Sequence, residues 1–163
     1  MEKYRYSFFA RIIYRYGNII ASALLSIQMI ASFIGMFVKW YFVFPALINL
    51  ILILLLNKFF IKTYRLFPFT IEANNEKLIC YDFFFSKKKI QINHKDITAI
   101  RGGIFSNYPT RPIYITDGKQ NIEIGFYSHV GNFQKLLTKI LQNIPEPVYN
   151  DLMINVKNRF KKK

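Results

Sequence analysis

Two histidines, one cysteine and a few aspartates are the residues of this chain best suited to acid–base, nucleophilic or metal chemistry, and their spacing assembles none of these. His94 and His129 lie far apart in sequence. There is no second cysteine, so no Cys/His cluster has the spacing that holds zinc. Cys80 sits within the apolar run Leu78, Ile79, Tyr81, where a thiol is expected to be buried and poorly ionised. In Ser128-His129 the pair is adjacent, and neighbours on a helix do not face each other; they read as a helix cap and a first helical residue rather than nucleophile and base. Asp82, Asp96 and Asp117 stand beside turns, as aspartate often does. Gly102-Gly103 is too short for a phosphate-cradling loop. The expectation is a protein that is not an enzyme, with no catalytic residues, cofactor or metal.

What the sequence does specify is where these residues are held. Ile19 to Val38 and Trp40 to Leu56 are uncharged apolar runs separated only by Lys39. Twenty helical residues span about 30 Å, the thickness of a bilayer's hydrocarbon core. The second run continues through Phe59, Phe60 and Ile61 if Lys58 reaches back to the interface. A soluble helical hairpin would need a charged outer face, and neither run has one. Residues 19–61 are therefore expected to be a two-helix transmembrane hairpin, retained in the mature protein because no small-residue cleavage site follows the first run.

The remaining charge lies outside the runs. The chain carries a net +14. Four basic residues precede the first run, Lys58, Lys62 and Arg65 follow the second, and the turn holds only Lys39, so both termini are expected in the cytoplasm, with the hairpin in the cell (inner) membrane. Residues 1–18 read as an interfacial or cytoplasmic helix, with Tyr6, Phe9, Ile13 and Tyr16 on one face and Arg11 and Arg15 on another. Within the hairpin, Ala21, Gln28, Ser32 and Gly35 form a small, polar stripe suited to helix packing. Gln28 and Asn49 are expected at similar depth, hydrogen-bonded to each other.

After Arg65 the texture changes from continuous to alternating apolar residues. Short strands are expected at Phe69–Ala73, Lys77–Phe85, Ile90–Asn93 and Ile97–Ile100, then a proline-containing loop at Ile104–Pro112. Two more strands, Ile113–Thr116 and Asn121–Phe126, flank the hairpin signal Asp117-Gly118. A helix capped by Ser128 carries Val130, Phe133, Leu136, Leu137, Ile140 and Leu141 on one stripe and ends before Pro145 and Pro147. This order, with PFTIEANNEKLICYDFFFSKKKIQINHKDITAI, the step Asp96-Ile97 and the IYITDG hairpin, resembles the bacterial pleckstrin-homology-like (PH-like) domain family, which often follows a pair of transmembrane helices. The resemblance implies that residues 66–144 form a small antiparallel PH-like barrel or sandwich closed by a C-terminal helix, giving a fold class of membrane α-helical hairpin plus α+β. It also implies a binding or assembly module rather than a catalyst.

Residues 145–163 read as a basic amphipathic tail, with Tyr149, Leu152, Met153, Val156 and Phe160 on one face. Its Lys157, Arg159, Lys161, Lys162 and Lys163, together with Lys87, Lys88 and Lys89, are candidates for contact with anionic lipid headgroups. Phosphoinositide recognition is not expected, because the first strand turn, Asn74-Asn75-Glu76, is not basic. Nucleic acid is the less favoured partner for this basic, aromatic chain, since its aromatics fall in the spans and at apolar strand positions. The expected function is a membrane tether whose cytoplasmic domain binds a protein partner or the membrane surface. The alternative is a structural or accessory subunit of a larger membrane assembly such as a channel, transporter or secretion system.

Overall fold

A computed structural model describes residues 1–84, 86–106 and 111–160, without the side chains of Lys62 and residues 158–160. The chain divides into two units. One is Met1–Phe8 together with Leu66–Lys163, the other the intervening Phe9–Arg65.

The first unit contains two antiparallel sheets. β1 (Glu2–Arg5), β2 (Thr70–Ala73), β3 (Lys77–Tyr81) and β4 (Ile90–Asn93) pair in that order, and β5 (Ile97–Gly102), β6 (Ile113–Asp117) and β7 (Ile122–Phe126) form a second, three-stranded sheet. Period-2 alternation aims Ile90 and Ile92, or Ile113 and Ile115, into the core while their neighbours face outward. α3 (Phe133–Asn143) adds Leu136, Leu137 and Ile140 to the same core. Gly102 holds the end of β5 at φ +86°, where a Cβ would collide with the Pro112 carbonyl, so glycine alone fits. α4 (Glu146–Phe160) packs against β5 and the following turn, with Leu152 buried and Tyr149, Met153 and Ile154 exposed.

The second unit is the helical hairpin. α1 (Phe8–Gly35) and α2 (Val43–Leu66) are joined by a turn in which Val38 and Lys39 N–H both donate to the Gly35 carbonyl, each at 3.0 Å, and by a single 3-10 turn at Trp40–Phe42. Pro45 falls in the first turn of α2, where its missing N–H costs little. Both segments are long and apolar enough to cross a membrane, and only 11% of each most apolar window is buried. Their large apolar side chains, Phe33, Ile34 and Leu54 among them, point outward. A buried core helix of a soluble protein would show the reverse.

The structure corrects three sequence expectations. No helix covers residues 2–7: Glu2–Arg5 is a strand with Tyr4 and Tyr6 buried, and α1 runs unbroken from Phe8 to Gly35, into the first apolar run but short of its last three residues. Four residues are too few for periodicity to separate strand from helix, and the pairing partner β2 lies on the far side of the hairpin in sequence. Ser128 does not cap α3. The segment before the helix instead bonds to the N-terminal strand, with Val130 bridging Tyr6 and Gly131 N–H donating to Arg5 O at 2.9 Å, so α3 starts only after Asn132. The strand expected over Lys77–Phe85 ends at Tyr81, because Asp82 takes φ 62°; Phe85 lies outside the described residues.

Candidate functional site

The polar groups of the hairpin are arranged differently from expectation. Gln28 and Asn49 do not pair: Gln28 lies exposed on α1, whereas Asn49 is buried and its Nδ2 has no partner among the described residues. Ser32 faces inward with Oγ donating to the Gln28 backbone carbonyl at 2.9 Å, and Gly35 leaves room for the Phe42 ring, which a Cβ would approach to 2.8 Å. The four positions of the expected stripe lie within about 60° of one another around α1, but only Ser32 is buried; Ala21 and Gly35 are half-buried and Gln28 is exposed at the edge of that face.

The amides that do meet are Asn18 and Asn57. Asn18 Nδ2 donates to Asn57 Oδ1 at 3.1 Å, Asn57 Nδ2 to Ser22 Oγ at 3.3 Å, and Ser22 Oγ to Asn18 Oδ1 at 3.5 Å. The three bonds close a ring across the two helices. Asn57 Nδ2 also reaches Ile53 O at 2.9 Å, and Tyr64 Oη donates to Arg15 O at 3.3 Å on the same flank of the hairpin. With donors and acceptors used on each other, the ring is built to clasp helices. Sequence reasoning missed it although the same signal was present, since Asn18 and Asn57 also stand at comparable distances from the turn at Lys39.

In the strand unit, His94, Cys80 and Asp117 are buried in structural positions. His94 is buried, its Nε2 2.9 Å from Asn74 O and its backbone N–H donating to Glu76 O, so it ties the β2–β3 turn to the end of β4. Burial holds it below the usual histidine range, opposed in part by the Asn74 carbonyl. His129 is exposed. Burial pushes the Cys80 thiol up to about 12, leaving it protonated at neutral pH. Asp117 is also buried: Oδ1 accepts from Lys119 and Gln120 N–H at 2.8 and 2.9 Å, and Oδ2 from Gln120 Nε2 at 2.9 Å. Those bonds shape the β6–β7 turn. Among the described residues no three His, Cys, Asp or Glu side chains are grouped as a metal would need.

The chain matches no protein-family model, no curated protein and no solved structure. Its function is therefore read from its own residues.

The basic candidates are placed in part. Lys87, Lys88 and Lys89 are exposed, with the Lys88 ammonium 4.9 Å from the Phe83 ring centroid. Lys157 is exposed on α4; the Arg159 side chain and Lys161, Lys162 and Lys163 fall outside the described residues, as does 107–110 of the loop Ile104–Pro112. Other cations are engaged by carboxylates: Lys3 with Glu72 at 3.2 Å, Arg101 with Glu123 at 3.0 Å, and Lys135 and Lys139 with Glu2 at 2.9 and 3.3 Å.

Proposed function

We propose that this protein is an integral membrane tether: a two-helix hairpin in the bilayer carrying a cytoplasmic PH-like domain that binds a protein partner or the membrane surface, without catalysis. One observation carries the reading. The hairpin is inserted between the first and second strands of the sheet unit, since β1 precedes it, β2 follows it, and the two pair along their whole length from Glu2 opposite Ala73 to Arg5 opposite Thr70. A domain whose adjacent strands are the two ends of a hairpin keeps both ends on one side of a membrane. The basic flanks, Lys3, Arg5, Arg11 and Arg15 before the hairpin and Lys58, Lys62 and Arg65 at its end, support the cytoplasm as that side. A four-stranded and a three-stranded antiparallel sheet followed by an amphipathic helix support the PH-like reading.

Such an arrangement works by confinement. Holding the domain at the membrane limits its encounters to that surface and raises the effective concentration of any partner held there. Affinity purification of the tagged full chain from its own membranes, followed by mass spectrometry, tests the reading. A partner that is lost on Lys87, Lys88 and Lys89 replacement or on disruption of β1 supports it. No partner, together with no binding of the domain to anionic vesicles, overturns it.

A further inference from the structure

We infer that the hairpin self-associates in the membrane through Gln28, each copy's carboxamide bonding to that of a second copy. Gln28 is the middle of the first apolar run, nine residues after Ile19 and ten before Val38. At about 1.5 Å per residue it lies roughly 14 Å from either end, at the depth where water is scarcest. Its side chain is exposed on the outside of α1, and it has no side-chain hydrogen bond to the described residues. Exposed at the edge of the face that carries the buried Ser32, the amide meets hydrocarbon when the hairpin is in a bilayer, where an unmet donor and acceptor are costly.

A second copy of this chain meets both requirements without further adjustment. Copies inserted in the same orientation place Gln28 at the same depth, and a carboxamide is its own complement, donating through Nε2 and accepting through Oε1. About a two-fold axis along the membrane normal, two such groups can bond to each other in an isologous contact. Leu24 and Ala31, one turn to either side and both exposed, would flank the seam. Ile30, also exposed, points to a different side of the helix and would lie outside it.

The inference rests on the hairpin residing in a bilayer, so insertion and association must be read separately. The full chain is reconstituted in phosphatidylcholine vesicles, insertion is scored by resistance to alkaline carbonate, and association by energy transfer between labelled copies over a range of protein-to-lipid ratios. Single cysteines at Ala31→Cys and Ile30→Cys are then oxidised in the same vesicles; the native Cys80 is fully buried and silent. The expected result is concentration-dependent transfer, a dissociation constant raised about 5- to 30-fold by Gln28→Leu and largely kept by Gln28→Asn, and cross-linking at position 31 well above that at position 30. Inserted chains that stay monomeric at all densities, or that associate equally well as Gln28→Leu, would overturn it by leaving Gln28 to lipid or to a different protein. Failure of insertion would instead overturn the membrane reading beneath it.

Discussion

Arg5 and Thr70 stand opposite each other at the hairpin-side end of the β1–β2 ladder, the last residue of one strand against the first of the next. The carbonyl of Arg5 accepts the Gly131 N–H at 2.9 Å, and the neighbouring Tyr6 Oη accepts the Tyr127 N–H at 2.8 Å. The N-terminal strand is therefore bonded on one side to β2 and on the other to the segment that leads into α3. At its start Glu2 binds Tyr4, Lys135 and Lys139. A few residues before the first membrane-length helix thus join a sheet built from residues beyond the second.

The first prediction is that the sheet unit needs those residues. Tyr4 is 2% exposed, and Tyr4→Ala is expected to cost about 3 kcal/mol, by analogy with truncation of other buried aromatics. Tyr6→Phe, which removes the acceptor for Tyr127 N–H, should cost about 0.5–1.5 kcal/mol. A fragment of residues 66–163 lacks β1 and should unfold at lower denaturant than the same fragment with residues 1–7 joined ahead of it. Chemical denaturation followed by circular dichroism measures all three.

Acid should weaken this unit in two stages. His94, held below its ordinary value of 6.5 by burial, contributes stability above that value and loses it as pH falls further, because the unfolded chain takes up the proton first. Glu2 is drawn down to about 2, chiefly by the Tyr4 hydroxyl and then by Lys135. Its contribution is present above 4.5 and is lost between 4.5 and about 2. Melting temperature against pH should therefore fall in both windows, and Glu2→Gln should flatten the lower one while leaving the upper one in place.

The polar ring of the hairpin gives a third prediction. Replacing Asn18 or Asn57 by Leu should each cost about 0.6–2 kcal/mol of hairpin stability, with marked non-additivity in the double replacement. The Gln28 and Asn49 pair should show additive effects, since these two do not touch. Steric-trap or denaturant unfolding in bicelles distinguishes the two cycles.

Much of the architecture was legible because it rests on local signals. The helices follow from uninterrupted apolar runs, and β4, β6 and β7 from isoleucines at alternate positions bounded by turn residues. β1 was not legible, since its alternation of Lys3, Tyr4, Arg5 and Tyr6 acquires meaning only through β2 on the far side of the hairpin. The same non-local pairing delays α3 from Ser128 to Phe133. In the hairpin, counting residues from Lys39 misleads: Gln28 and Asn49 match more closely than Asn18 and Asn57, yet only the latter pair meets. Depth fixes height along a helix, while meeting also requires that both side chains face the partner.

The most direct test of the membrane tether is cysteine labelling in intact cells. Cys80 is fully buried, so single cysteines at Lys39 and at position 2 can be read one at a time with a membrane-impermeant maleimide. The expected result is labelling at position 39 in intact cells and at position 2 only after the membrane is opened. Labelling of position 2 from outside, or recovery of the chain in the soluble fraction, would contradict the tether.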